Sequence, residues 1–225
     1  MPEDISPTSY LAATQRVAAF DTCTISDALD KLGLRGAVPG LVRLTANRQR
    51  ISGRVVTVKL GPAIEGLPKR HLGASAIMAA QPGEIVVVEH RGRTDSSGWG
   101  GLLSRGAARK GIAGVIVDGA CRDLDESSEL GFPVFGSAVV PLTARGRVAE
   151  HDWGCQVTIG SIVVNPGDWV VADGSGVVFF DQKHLDEVLA EAERILGRET
   201  AMIAALEQGA PIDQVMGANY EEMLK

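Results

Sequence analysis

Cysteine, net positive charge and long apolar runs are all scarce in this chain, and each scarcity argues against a class of protein. The chain has 3 cysteines, Cys23, Cys121 and Cys155, with no CxxC spacing, which argues against a disulfide framework or a zinc site. A net charge of -6 is unsuited to sequence-independent nucleic-acid binding, which needs a positive field. No apolar run is long enough to span a membrane, and the opening residues lack a secretion signal. We therefore expect a cytoplasmic protein with no membrane and no nucleic-acid partner.

The composition and the apolar periodicity predict one α/β domain over residues 1–225. The chain has 225 residues, of which 45% are hydrophobic, and this is enough for one sizeable core. Helical spacing is found at 8–20, 24–32, 72–80, 125–130 and 184–207, and strand patterns at 54–60, 85–89, 115–117, 133–135, 156–159, 162–164, 169–172 and 177–180. Thr24 or Ser26 is the expected N-cap of the second helix. The alternation favours a mixed sheet covered by helices.

The segment from Trp99 to Glu126 carries the strongest functional signal. Gly100 and Gly101 would let a ligand approach the backbone, and the amides near Leu102 and Leu103, at the start of a helix, would attract carboxylate or phosphate. The apolar strand 115–117 then delivers three charged side chains to its C-terminal end, Asp118, Arg122 and Asp123. That end is the usual ligand edge of an open α/β sheet.

The residues alone leave alternatives open at each charged position. Arg122 could grip a substrate carboxylate with two parallel hydrogen bonds, or it could merely pair with Asp123 or Glu126 on the surface. Asp123 could hold a metal or cap the following helix. Asp118 could support the metal indirectly or be solvated, and Glu126 is expected to orient Arg122 or to cap locally. Lys59 and the four histidines are assigned no role.

At this point the chain resembles the RraA-like family. The hallmark of that family, a glycine followed further along by Arg-Asp and then an acid, is matched by Gly101, Arg122, Asp123 and Glu126. Further blocks follow in the family's order: DTCTISDALDKLGLRGAVPGLVRL, ISGRVVTVKLGPA, QPGEIVVVEH, LGFPVFGSAVVP and VVNPGDWVVADGSGVVFF. The resemblance covers about residues 20–208. It implies a swivelling β/β/α sandwich with a C-terminal helix over 184–207.

The resemblance also implies an activity. The family's enzymes are class II aldolases of 4-hydroxy-4-methyl-2-oxoglutarate and 4-carboxy-4-hydroxy-2-oxoadipate, with oxaloacetate decarboxylase side activity. They cleave a 2-oxo-4-hydroxy diacid to pyruvate and a second 2-oxo acid through a pyruvate enolate. By this resemblance Asp123 is the direct ligand of Mg²⁺, Mn²⁺ or another divalent metal, and Arg122 binds the 2-oxo acid. Gly100, Gly101 and the amides of Leu102 and Leu103 complete the substrate site.

Other implications concern neighbouring subunits and one departure from the family pattern. Family enzymes form trimers or hexamers with sites between subunits, and Glu199 matches a glutamate that reaches the adjacent site. Many family aldolases carry an acid where this chain has Gly101, so we expect Asp95 to supply that charge if its loop folds back. The alternative is that the chain is a non-catalytic regulator that binds a ribonuclease, as the family's namesake does.

Overall fold

The computed structural model describes residues 7–64 and 71–217. The helices are α1 Pro7–Val17, α2 Thr22–Lys31, α3 Ala74–Ala79, α4 Gly101–Arg109, α5 Leu124–Glu129, α6 Leu185–Glu207 and α7 Ile212–Val215. The strands are β1 Val42–Arg43, β2 Ile51–Pro62, β3 Ile85–Arg93, β4 Gly114–Cys121, β5 Val134–Gly136, β6 Ala138–Val139, β7 Val148–Trp153, β8 Val157–Ile159, β9 Ile162–Val164, β10 Trp169–Ala172 and β11 Val177–Phe180. No helix in these ranges combines the length and hydropathy needed to cross a membrane.

Within the described ranges, nine strands form one mixed sheet. Its main path is β1-β5-β4-β3-β2-β10-β11. Strands β2, β3, β4 and β5 are parallel neighbours, whereas β10 runs antiparallel to both β2 and β11. The parallel centre is buried on both faces, which explains why β3 and β4 are continuous apolar runs rather than alternating ones.

Three apolar clusters fill the space around this sheet. One lies between the parallel strands and helices α3 and α4, and one lies between β10, β11 and helices α1, α2 and α6. The third packs the opposite face of the parallel strands against the small β8–β9 sheet. The predicted mixed α/β fold with a C-terminal helix is confirmed, since α6 covers Leu185–Glu207.

The structure corrects three local expectations. Asp21, not Thr24 or Ser26, caps α2, because its carboxylate accepts the Thr24 amide at 2.8 Å and the helix begins at Thr22. Strand β4 continues to Cys121, so Asp118 lies inside the strand rather than at its end. Strand β7, which pairs with β2, was not predicted because its charged VAEHDW sequence lacks a strand-like apolar pattern.

Candidate active site

Arg122 and Asp123 lie at the C-terminal end of β4, where the chain turns into α5. The preceding residue fixes their position, because Cys121 is fully buried and forms a parallel β-bridge with Trp99. The Arg122 amide donates to the Trp99 carbonyl at 3.1 Å. The segment before α4 and the segment before α5 are therefore tied together, and both helices begin at the same edge of the sheet.

Asp123 has an unusual backbone conformation that directs its side chain away from its own helix. Its φ of 57° and ψ of 41° are left-handed, which is uncommon for a residue other than glycine and costs about 1–3 kcal/mol. It stands at the N-cap position of α5 but makes no capping hydrogen bond there. Instead its Oδ2 accepts the amide of Gly101, the first residue of α4, at 3.0 Å, and Arg122 Nε lies 3.3 Å from the same oxygen.

A chain of buried hydroxyls supports this conformation. Trp99 Nε1 donates to Ser104 Oγ at 2.9 Å, Ser104 and Ser127 share a hydrogen bond of 2.8 Å, and Ser127 Oγ donates to the Asp123 carbonyl at 3.2 Å. Because Ser127 uses its proton on that carbonyl, Ser104 is the donor to Ser127. Sequence reasoning missed these hydrogen bonds. The available signal was one serine on the otherwise apolar inner face of each of the helices α4 and α5.

Gly100 and Gly101 are needed because they leave space for the charged side chains. Neither has a positive φ that would itself require glycine. A Cβ on Gly100 would stand 2.8 Å from Asp123 Oδ2 and 3.3 Å from Arg122 Nε. A Cβ on Gly101 would stand 2.6 Å from Glu126 Cδ and 3.1 Å from the Asp123 Cβ. Any side chain at either position would displace part of the site.

The structure corrects the expected partners of Glu126 and Leu103. Glu126 pairs with Arg105 of α4 at 2.9 Å, not with Arg122, because α4 and α5 lie side by side. The Leu103 amide donates to the Gly100 carbonyl at 3.1 Å, which tightens the first turn of α4. Within the described chain no partner is found for the Leu102 amide, so it is the free donor of this helix end.

A cavity of about 970 Å³ opens beside Arg122 and Asp123. Its wall is mainly apolar and includes Leu72, Ile77, Trp99, Leu103 and Val148. At its mouth Met78 is 75% exposed and Leu102 is 83% exposed. The cavity therefore combines the side chains of Arg122, Arg145 and Asp123 with a large apolar surface.

Three predicted site residues lie elsewhere in the protomer. Asp118 is on the opposite face of β4, beside Glu89 and Lys59, where burial raises the pKa of its carboxyl. Asp95 does not fold back; both its oxygens accept from Arg93 at 2.8 Å, and the Arg93 hydrogen bond lowers the Asp95 pKa to about 2. Glu199 is exposed on α6, a helix that packs with β10, β11, α1 and α2 rather than with α4 and α5.

Asp123 and Glu126 place carboxylate oxygens next to Gly101. Among the described residues there is no group of three or more His, Cys, Asp or Glu side chains arranged to hold a metal. A site with one or two carboxylates suits Mg²⁺, which keeps several waters and takes further ligands from its substrate. The half-exposed Asp123 carboxylate fits that donor set.

The chain belongs to the RraA-like family, described as Aldolase/RraA, which matches residues 22–179. It is 28% identical to Protein DlpA of Legionella pneumophila over 89% of this chain, although it spans only 32% of that protein. It is 32% identical to a protein of Albidiferax ferrireducens named "Putative 4-hydroxy-4-methyl-2-oxoglutarate aldolase", covering 71% of this chain and 94% of that one.

Solved structures give the same family. The solved structure of Streptomyces coelicolor RraAS2, "an unusual member of the RNase ES inhibitor RraA protein family", superposes with a TM-score of 0.77 at 26% identity. The match covers 84% of this chain and 94% of that one. The family thus contains relatives named as lyases and relatives named as ribonuclease inhibitors.

Proposed function

We propose that this protein is a divalent-metal-dependent carbon–carbon lyase. Its substrate would be a 2-oxo-4-hydroxy diacid of the 4-hydroxy-4-methyl-2-oxoglutarate type, cleaved to pyruvate and a second 2-oxo acid, and oxaloacetate would be decarboxylated at the same site. The observation that carries this proposal is the Asp123 carboxylate, which a left-handed backbone conformation directs between the Gly101 amide and Arg122 beside a large cavity.

Arg122 and the start of α4 would bind and orient the substrate. The guanidinium presents a planar fork that matches the C1 carboxylate of a 2-oxo acid. The Leu102 amide lies at the N-terminus of a nine-residue helix, where the helix dipole favours a negative charge. Gly100 and Gly101 leave room for the Arg122 and Asp123 side chains, so the anion would be held by fixed groups that need no rearrangement during the reaction.

Both reactions break the C3–C4 bond and leave its electron pair on the pyruvate fragment as an enolate. In retro-aldol cleavage the proton of the C4 hydroxyl must go to a base as C4 becomes a carbonyl, whereas decarboxylation releases C4 as CO₂. The enolate is then protonated at C3. Asp123, with Glu126 nearby, would hold Mg²⁺ or Mn²⁺, and the ion would supply Lewis-acid stabilisation of the enolate charge.

The described part of one protomer places no free carboxylate across the cavity to act as that base. Glu199 of the partner subunit is the proposed base in a trimer or hexamer. Leu196, Ile203 and Leu206 are exposed and recur at helical spacing around Glu199, so they share its side of α6. Docking this apolar side against the mouth of a neighbouring cavity, at Met78 and Leu102, would cover both surfaces.

The activity is tested by measuring pyruvate release from 4-hydroxy-4-methyl-2-oxoglutarate and from oxaloacetate, with Mg²⁺ and with a chelator. We expect metal-dependent turnover, lost in Asp123→Asn and reduced about 10²-fold in Arg122→Lys, which keeps the charge but not the fork. Arg109→Lys, on the exposed side of α4, is the matched control. Equal rates with metal and with chelator would remove the lyase proposal.

The shared site is tested by mixing two inactive variants. If Arg122→Ala and Glu199→Ala each abolish turnover, hybrid oligomers contain some sites that carry neither substitution. Co-expression should therefore restore part of the activity. Failure to restore it, with hybrids verified by native mass spectrometry, would rule out a site shared between subunits.

A regulator that binds a ribonuclease is the second candidate. The exposure of Met78 and Leu102 and the likeness to RraAS2 favour a protein-binding surface. In that case Leu102→Glu would abolish capture of the ribonuclease while no 2-oxo acid is turned over under any metal condition.

A further inference from the structure

We propose that Arg145 determines substrate specificity by binding the second carboxylate of the diacid, the C5 carboxylate that retro-aldol cleavage leaves on the second 2-oxo acid. The inference rests on the proposed function, because it assigns a protein partner to one group of that substrate. Arg122 accounts for the C1 carboxylate alone. The C5 carboxylate of a diacid therefore needs a second cation on the cavity wall.

The described wall of the cavity offers two permanent positive charges. Its ionisable members are Arg122, Asp123, Arg145 and His71. A guanidinium stays protonated at every working pH, whereas an imidazole is protonated only in part near neutrality. Much of the remaining wall is apolar, and a carboxylate placed against apolar surface is costly unless a charged group binds it. Arg145 is therefore the partner that this wall offers to a second carboxylate.

The turn that carries Arg145 is held in place by other groups. It lies between β6 and β7, and its Leu142 carbonyl accepts the Ser97 amide at 3.2 Å, which ties the turn to the segment before α4. Arg147 Nη1 donates to the Thr143 carbonyl at 2.9 Å, which closes the turn on itself. The turn is thus fixed beside the cavity by contacts that do not involve the Arg145 side chain.

The guanidinium of Arg145 is available to a ligand. The Arg145 amide donates to Thr143 Oγ1 at 3.2 Å, but within the described part of the chain its guanidinium has no hydrogen-bond or ion-pair partner. The neighbouring arginines are already used, since Arg93 pairs with Asp95 and Arg147 binds the Thr143 carbonyl. Because Arg145 is exposed and its side chain holds nothing together, its replacement should leave the fold intact.

The two proposed reactions differ in what becomes of the distal carboxylate. In retro-aldol cleavage the C5 carboxylate keeps its charge while the C3–C4 bond breaks, the electron pair goes to the enolate and the hydroxyl proton goes to the base. Binding this carboxylate therefore stabilises the bound substrate and the transition state alike, which lowers KM. In oxaloacetate the C4 carboxylate must leave as neutral CO₂, so a guanidinium bound to it would stabilise the charge that has to be lost. Arg145 should therefore assist cleavage of the diacid but not decarboxylation.

The test compares three substrates: 4-hydroxy-4-methyl-2-oxoglutarate, oxaloacetate, and the monoacid 4-hydroxy-4-methyl-2-oxopentanoate, in which a methyl group replaces the C5 carboxylate. We expect the wild type to have a kcat/KM about 10-fold to 100-fold higher for the diacid than for the monoacid. Arg145→Gln should remove most of this preference by raising KM for the diacid, and should change kcat/KM for the other two substrates less than about 2-fold. Arg145→Lys keeps the charge and should restore part of the preference. Arg109→Gln, on the exposed side of α4, is the matched control and should change none of these values.

Other outcomes would contradict the assignment. An equal loss for all three substrates in Arg145→Gln would show that this residue holds the turn rather than the substrate. A diacid preference that is absent from the wild type, or unchanged in Arg145→Gln, would show that Arg145 does not bind the C5 carboxylate. Each of these results ends the inference and leaves the lyase proposal in place. If the wild type turns over none of the three substrates with Mg²⁺ or Mn²⁺, the proposed function fails and the inference fails with it.

Discussion

Removal of the Ser104 hydroxyl tests whether the buried hydrogen bonds from Trp99 to the Asp123 carbonyl stabilise the site. Ser104 is fully buried and lies between Trp99 Nε1 and Ser127 Oγ. Ser104→Ala would leave the indole N–H without an acceptor and Ser127 with one partner fewer. A buried polar group left unsatisfied costs about 1–3 kcal/mol, so we expect a loss of about 2 kcal/mol, or about 4–8 °C in Tm for a chain of this size.

The measurement is urea unfolding followed by circular dichroism at one fixed protein concentration, because oligomerisation makes the apparent stability concentration-dependent. Ser161→Ala, at an exposed turn, is the control and should stay within about 0.5 kcal/mol of the wild type. In a double-mutant cycle, Ser104→Ala and Ser127→Ala should couple by about 0.5–3 kcal/mol. If Ser104→Ala is as stable as the wild type and shows no coupling to Ser127→Ala, the hydrogen-bond chain does not support the site.

Two further changes probe the backbone and a buried titratable group. Gly36→Ala should destabilise the protein by more than about 2 kcal/mol, because the added Cβ would collide with the Phe179 carbonyl and overpacking is costly. Gly106→Ala is the control inside α4, where a Cβ meets open space. It should stabilise the protein by up to about 1 kcal/mol, because alanine favours a helix more than glycine does. The Nε2–H of His90 donates to the Ser96 carbonyl, and burial lowers the pKa of the imidazole below 6.5. As the pH falls below 6.5, the unfolded protein therefore binds a proton at His90 more readily than the folded protein does. The free energy of unfolding then decreases by at most about 1.4 kcal/mol per pH unit. Urea midpoints at pH 7 and pH 5 should therefore differ less in His90→Gln than in the wild type, and equal differences would contradict this sign.

Sequence reasoning located the parallel strands from their short continuous apolar runs and the long helix from its apolar periodicity. The IVVV run of β3 and the three-and-four-residue apolar spacing of α6 leave few alternative interpretations. The same reasoning placed Arg122 and Asp123 correctly after a buried strand. The family resemblance then supplied roles for them that periodicity does not contain.

Asp118 shows why the rest of the site was harder to predict. Val115 and Val117 pack toward α4, whereas Ile116 packs toward the other face, so the alternation of a strand places Asp118 on that other face. The sequence reading ended the strand at Val117, placed Asp118 at its C-terminal end beside Arg122 and Asp123, and so allowed it an indirect role at the metal. At its C-terminal end the strand has four more residues than expected, 118–121, and its continuation fixes the face on which the Asp118 carboxylate lies.

The contacts that define the site share a property that explains why sequence reasoning missed them. Glu126 and Arg105 are 21 residues apart, and Asp123 accepts from an amide 22 residues before it, so neither contact produces a local pattern. The glycines contribute by the absence of side chains, and the serines by single hydroxyls within apolar faces. Each of these constraints comes from α4 and α5 lying side by side at the end of β4, which is a consequence of the right-handed β-α-β connection. The positions of the helices therefore have to be known before these contacts can be predicted, even though Arg122, Asp123 and the groups that hold them lie within Trp99–Ser127.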